Sequence, residues 1–400
     1  MTAPKLRFKD FDGDWCISPL KNLCKINQGL QIAIEDRFLE NGENRFFYIT
    51  NEFLREGAKK SYFIENPPIS VRCKSEDILM TRTGNTGQVV TNVEGAFHNN
   101  FFKIDFDRKQ IDKNFFVEFL RKNTTQHLIL KYAGASTIPD LNHSDFYRIQ
   151  MSITSIEEQT KIASFLSAVD EKISQLIQKH ELLSQYKQGM MQKLFSQQIR
   201  FKADDGSEFG EWEEKKIGEI FQVTSGSTPL RSDERFFKHS EIFWVKTTDL
   251  NNGLITTTEE KISKVALKET SIKVLPKGTV FVAMYGGFNQ IGRTGLLTME
   301  SACNQALSAI YPNELVNSYF LLTYLNFKVE DWKNFAASSR KDPNITKSDV
   351  LAFPFILMSL EEQTKIANFL SAIDQKIEVV AQQIEQAKQW KKGLLQQMFV

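Results

Sequence analysis

The sequence predicts a mixed α/β fold: two α/β domains separated by two long antiparallel coiled-coil helices, arranged as a pseudo-two-fold internal repeat. Three observations predict it. The segment EEQTKIASFLSAVDEKI at 157–173 returns as EEQTKIANFLSAIDQKI at 361–377, with differences only at Ser164/Asn368, Val169/Ile373 and Glu171/Gln375. From each copy the apolar residues continue in alternating steps of four and three, the signature of a helix with one buried stripe. Ahead of each copy lies a longer stretch of β-rich runs broken by polar, glycine-marked turns. A chain of 400 residues also exceeds what one compact core holds.

The first domain spans 1–154. A strand-like segment near its start ends at Gly29, β-rich stretches follow at 46–50, 78–81, 89–93 and 101–106, and one helix follows over about 112–132. Within it, ILMTRTGNTGQVV reads as a strand–loop–strand unit with a polar, basic tip. The helix over 155–197 comes next. Its seam is Ile162, Leu166, Val169, Ile173, Leu176, His180 and Leu183, the heptad spacing that keeps one stripe against a partner helix. Ser155 and Glu158 form a capping box, in which the serine accepts from the third backbone N–H and the glutamate reaches back.

The second domain, 198–358, repeats the order. A strand-like segment ends at Gly226, β-rich stretches lie at 242–245, 280–284, 295–298 and 306–311, and a helix covers about 317–336. VFVAMYGGFNQIGRTGLL is its strand–loop–strand unit. The helix over 359–400 has the seam Ile366, Leu370, Ile373, Ile377, Val380, Ile384 and Ala387, and a second capping box in Ser359 and Glu362. QYKQGMMQKLF and QWKKGLLQQMF carry the two helices to Phe195 and Phe399, with Gly189 and Gly393 as matching points of weakness. At ~1.5 Å per residue each helix is about 60 Å long. Two such seams can bury their stripes on each other, most simply as an antiparallel pair. Arg200-Phe-Lys202 echoes Arg7-Phe-Lys9, and Glu211-Trp212 echoes Asp14-Trp15. The N-terminus therefore belongs beside the end of the last helix.

Composition narrows the function. Hydrophobic content of 41% and charged content of 25% are those of a soluble globular protein. The longest apolar run, 350–358, is far short of the roughly 20 residues of a membrane helix. The opening MTAPKLRFKDFDGDW has no apolar core, so no signal peptide and a cytoplasmic location are expected. Cys16, Cys24, Cys73 and Cys303 form no CxxC pair and have no histidine at zinc-ligand spacing, so free thiols and no metal are expected. A net charge of +1 neither points to nucleic acid nor excludes it.

Three near-motifs for enzyme chemistry fail. The Gly287–Thr294 stretch has Arg293 where a P-loop needs lysine, and strand-like sequence follows where a helix is required. Asn66-Pro67-Pro68-Ile69 lacks the aromatic of an adenine-methyltransferase loop and has no glycine-rich methyl-donor motif before it. Pro139-Asp140 with Asp170-Glu-Lys172 fits a nuclease pattern only loosely, because Asp170 lies on the heptad helix. No catalytic residue is assigned. The loop tips and the facing pairs Asn99-Asn100 and Asn304-Gln305 instead carry residue types that read base edges: Asn and Gln pair with adenine through two bonds, Arg with guanine.

The alternation of variable domain and EEQxKIAxFLxxxD helix resembles the specificity (S) subunit of type I restriction-modification systems. The resemblance covers essentially the whole chain and rests most on 157–173 and 361–377. TRTGNTG, GGFNQIGRTG, TSGSTP at 224–229 and Asn304-Gln305 also match the family's target-recognition domains. It implies that each variable domain reads one half of a split double-stranded DNA target, while the paired helices space the domains and dock two methylation subunits. It implies no catalysis and no cofactor in this chain. S-adenosylmethionine, ATP and Mg²⁺ would belong to the methylation subunits and to separate restriction (motor) subunits. The DNA contacts it suggests in the first domain are Gln28, Thr81, Arg82, Thr83, Asn85, Asn99 and Asn100. In the second they are Ser225, Ser227, Thr228, Lys246, Tyr285, Asn289, Gln290, Arg293, Arg340 and Lys341. Partner docking would use the outer helix faces at Glu157, Glu158, Lys161 and Asp170, and at Glu361, Glu362, Lys365 and Asp374. Two alternatives stay open: a coiled-coil scaffold with two ligand-binding domains, and a nuclease or methyltransferase acting alone. Salt-dependent DNA affinity separates the first from DNA recognition, and activity of the isolated chain would reveal the second.

Overall fold

A computed structural model describes residues 3–400 apart from 56, 58–59, 135–136, 288 and 337–343 and the side chains at 333 and 335. The heptad stretches form a central helix, Ile156–Phe195, and a distal helix, Leu360–Met398. By contact the chain forms two compact units, residues 1–178 with 381–400, and residues 179–380. Each unit thus holds one α/β domain and parts of both long helices. The reason is the stripe: it packs into the domain cores as well as onto the partner helix. In the first unit Ile162, Ala163 and Leu166 share a core with Phe115, Phe146, Leu394 and Phe399. In the second, Ile366, Ala367 and Leu370 share one with Phe320, Phe355, Leu194 and Phe195. In each unit the start of one helix packs on the end of the other, so the pairing is antiparallel.

The two domains repeat one plan. In the first, an antiparallel sheet runs in the order Cys24–Gln28, Phe101–Phe106, Ile78–Thr81, Val89–Val90. In the second the order is Val223–Ser225, Leu307–Ile310, Val280–Ala283, Thr294–Leu297, with Gly253–Ile255 added in parallel at the edge. A smaller sheet in each pairs Arg45–Ile49 with Gly95–Phe97, and Ile242–Val245 with Ala302–Cys303, both in parallel. The segments 24–29 and 223–226 end on glycine for a steric reason. A Cβ on Gly29 would lie 2.2 Å from the His98 carbonyl oxygen, and one on Gly226 2.1 Å from that of Cys303.

Each domain closes on itself before its long helix begins. Cys16–Pro19 pairs antiparallel with Gln150–Ile153, and Glu213–Lys216 with Pro354–Leu357. The chain end behaves as the repeat implies: the Leu6 N–H donates to the Gln397 carbonyl at 2.9 Å. Phe8 packs edge-on against Phe165, as Phe201 packs against Phe369, both with centroids 5.8 Å apart.

Two local expectations need correction. The single helices over 112–132 and 317–336 are each two: Lys113–Arg121 and Asn123–Ala133, then Ser318–Phe327 and Val329–Ala336. The first break is at Lys122, whose extended ψ of 133° leaves the helical region. The capping boxes are half-formed. The Glu158 and Glu362 N–H groups donate to Ser155 and Ser359 Oγ at 3.3 and 3.2 Å. Their carboxylates turn away to arginines, Arg7 at 2.7 Å and Arg200 at 2.8 Å.

Candidate nucleic-acid interface

The repeated segment is built first of all to hold each domain on its helix. Gln159 and Gln363 are fully buried. Gln159 Oε1 accepts from the Asp112 N–H at 3.0 Å, and its Nε2 donates to the carbonyls of Gln110 and Thr154. Gln363 does the same with the Asn317 N–H and the carbonyls of Leu315 and Met358. Asp112 and Asn317 are the N-caps of the helices that follow each sheet. Each glutamine therefore ties a long helix to the first turn of a domain helix.

The docking set divides accordingly. Glu158 and Glu362 are buried, 1% and 0% exposed, and neither is presented on an outer face. Burial pushes the Glu158 carboxyl up, but hydrogen bonds from Arg7 and Thr154 outweigh it and hold the carboxyl below the usual glutamate range. Glu362 takes a further bond from Trp212 Nε1 at 3.0 Å. Glu157, Lys161 and Glu361 are exposed, and Lys365 is half-buried beside Asp204. Asp170 receives Lys391 at 2.6 Å, and Asp374 receives Lys187 at 2.7 Å.

In the first domain the strand–loop–strand unit delivers a connected polar cluster. Arg82 forks onto Asp140, with Nε and Nη2 at 3.0 and 2.8 Å, and its Nη1 donates to Gln28 Oε1 at 3.2 Å. Gln28 Nε2 donates to the Asn99 carbonyl, and Thr83 Oγ1 to Asp140. His143 Nε2 lies 2.7 Å from Gln28 Oε1. That oxygen can only accept, so the imidazole carries its proton on Nε2. Burial, then the Arg82 charge, push the His143 pKa down, which keeps the ring neutral near pH 7. The Arg82 hydrogen bond holds the Asp140 carboxyl below its usual range. Asn99 Nδ2 donates to Gln31 Oε1 at 2.9 Å, Asn100 is half-buried at the same turn, and Asn85 is exposed at the loop tip. Thr81 is a correction: it is fully buried, and its hydroxyl closes the loop by donating to the Asn85 carbonyl, so it has no surface to offer DNA.

In the second domain the residues fall in two groups. Ser225 ends the first strand of the sheet and Ser227 and Thr228 follow it, where Thr228 Oγ1 donates to Gln305 and Ser227 Oγ accepts from Ser271 at 3.3 Å. Tyr285, Asn289, Gln290 and Arg293 lie in the hairpin between Val280–Ala283 and Thr294–Leu297. Tyr285 is 43% exposed. Arg293 has no ion pair with any described residue. The Lys246 ammonium sits 3.0 Å from both Glu259 and Glu260, in a surface ion-pair cluster. Arg340 and Lys341 lie outside the described residues.

The sequence reading missed Asp140, His143, Gln31 and Ser271 as members of these clusters. The two carboxylates of the loose nuclease pattern have different partners: Asp140 pairs with Arg82 and Asp170 with Lys391. Gln305, singled out with Asn304 as the pair facing Asn99-Asn100, joins the cluster through Thr228. The others arrive from distant segments, and no local spacing announces them.

The chain matches the family model described as the type I restriction modification DNA specificity domain twice, over residues 12–184 and 210–389. It is 27% identical over 414 residues to the type I restriction enzyme MjaVIII specificity subunit of Methanocaldococcus jannaschii, covering 97% of this chain and 94% of that one. It is 22% identical over 167 residues to the EcoR124I/EcoR124II specificity subunit of Escherichia coli, 41% of each chain. The fold is similar to the crystal structure of the type I restriction-modification system S subunit from M. genitalium, with a TM-score of 0.62 and 18% identity over 100% of this chain and 99% of that one. A second solved chain, from work on complex assembly and conformational transition of the type I R-M system, gives a TM-score of 0.60 at 17% identity, covering 95% and 96%.

Proposed function

The chain belongs to the type I restriction-modification DNA specificity family, and from that premise we propose how its parts divide the work. It is a specificity subunit with two target-recognition domains. The first domain reads one half of a bipartite double-stranded DNA target through the Gln28–Arg82–Asn99 cluster and the Asn85 tip. The second reads the other half through the 284–293 hairpin and the Ser225–Thr228 strand end. Phosphate contacts position each domain and base contacts select. The paired helices set the gap between half-sites and dock two methylation subunits, through Glu157 and Lys161 on one helix and Glu361 and Lys365 on the other.

The chain itself is non-catalytic in this reading. S-adenosylmethionine binding and adenine methylation belong to the methylation subunits, and ATP, Mg²⁺ and cleavage to the restriction subunits. No helix among the described residues is long and apolar enough to cross a membrane. The observation that carries the proposal is the duplicated family match, with the same anchoring repeated in two domains whose tip residues differ. The complex with the methylation subunit should bind its target with an affinity that falls steeply and linearly in log–log salt plots. Affinity independent of salt would favour the scaffold alternative.

A further inference from the structure

The first unit contains a cavity of about 370 Å³ away from the reading clusters, between the helix break at Lys122 and the end of the distal helix. Arg121, Lys122, Lys388, Lys391 and Lys392 line it, against only two carboxylates, Glu118 and Asp170. Both carboxylates are engaged by Lys391, at 3.0 and 2.6 Å. Four cations are left without an acidic partner among the described residues.

Lys122 is the informative one. The residue is 8% exposed, and its ammonium, which no described residue pairs with or accepts a hydrogen bond from, opens on the cavity. Its nearest recorded partner is the Phe399 ring, 5.7 Å away. Burial lowers its pKa, and no acidic neighbour offsets that. A lysine whose stem is buried and whose unpaired ammonium opens on a cation-lined cavity is suited to holding an anion there. Asn123 and Thr124, which also line the cavity, open an 11-residue helix whose first turn has no side-chain cap. Its unsatisfied N–H groups and dipole favour the same charge.

The second unit supplies an internal control. Aligning the N-caps Asp112 and Asn317 places Phe327 where Lys122 stands, and Phe327 packs on Phe195 at 5.0 Å as Lys122 packs on Phe399. Aligning QYKQG with QWKKG places Ser184 at Lys388 and Gln188 at Lys392. By these alignments only the Lys391 position keeps its charge, as Lys187, while the lysine at the second unit's helix break, Lys328, is paired with Asp331 at 3.0 Å. The fold therefore closes this corner without the extra cations, and their presence in one unit needs another cause.

We infer that the cavity binds the phosphate group of a small molecule, a phosphate monoester or pyrophosphate, free or borne by a nucleotide, with Lys122 as its central cation. Several unpartnered cations match a multiply charged phosphate better than a single carboxylate. The volume falls within the roughly 300–1,000 Å³ of small-ligand sites.

Isothermal titration calorimetry of the full chain with pyrophosphate tests this. The natural chain should bind saturably. Lys122→Phe, which installs the side chain that the second unit uses, should weaken binding about tenfold or more, the scale of one charge-assisted hydrogen bond. Lys392→Gln, at an exposed site that cannot disturb the core, should weaken it severalfold. Absence of binding, or equal binding by both variants, overturns the inference. Displacement of pyrophosphate by a short random-sequence DNA duplex would move the site to the DNA backbone and overturn its assignment to a small molecule.

Discussion

Arg293 is the side chain on which the second reading hairpin depends most. It is half-buried at its root and carries no ion pair with a described residue, unlike Arg82, which Asp140 holds, and Lys246, which two glutamates hold. Arg293→Ala should cost about 1–3 kcal/mol of binding to the natural target and relax selectivity in one half-site, if the guanidinium reads a base. A phosphate contact would instead weaken all sequences about equally. Equilibrium binding to matched and mismatched duplexes distinguishes these, and unchanged affinity and selectivity would remove the hairpin from the interface. At this scale the sequence was only partly legible. Gln28, Arg82 and Asn99 could be selected as polar residues at turns. Their connection through Asp140 and His143 could not, because those two stand far along the chain. Thr81 and Lys246 look like free surface residues in the sequence, and only the folded neighbourhood reveals that one is buried and the other paired with two glutamates.

The long helices were legible because a heptad stripe is a local, repeated signal, and Ile162, Leu166, Ile366 and Leu370 are buried as the spacing requires. The reason for the near-identity of 157–173 and 361–377 was not. Much of it is internal: Glu158 with Arg7, Gln159 with Asp112, and their counterparts Glu362 with Arg200 and Gln363 with Asn317. These partners lie far apart in sequence, so a conserved charge was read as an outward one. Gln159→Leu would strand the Asp112 N–H and two carbonyls and should destabilise the first unit by about 2–3 kcal/mol, seen as a lower denaturation midpoint. No loss of stability would show that the glutamine serves something other than this joint. The Glu158 pair also sets a pH dependence. Its carboxyl has a folded pKa below the ordinary 4.5, so its contribution is present above that value and is lost as pH falls through the folded pKa. Glu158→Gln should flatten that acid limb in pH-dependent melts. An unchanged limb would assign the acid sensitivity elsewhere.

For the whole molecule, the repeat means one plan used twice: two cores, two base-closing strand pairs, two glutamine anchors and two different sets of reading residues. That duplication makes recognition modular. Replacing residues 198–358 with the equivalent domain of another family member should change one half-site and leave the other intact. The most direct test of the central claim is a methylome. The chain would be co-expressed with its methylation subunit in a host lacking adenine methylation, and modified adenines mapped by single-molecule sequencing. The account predicts a split motif, two short unequal half-sites around a fixed unspecified gap. Methylation at a continuous motif, or none although the complex assembles, would contradict it.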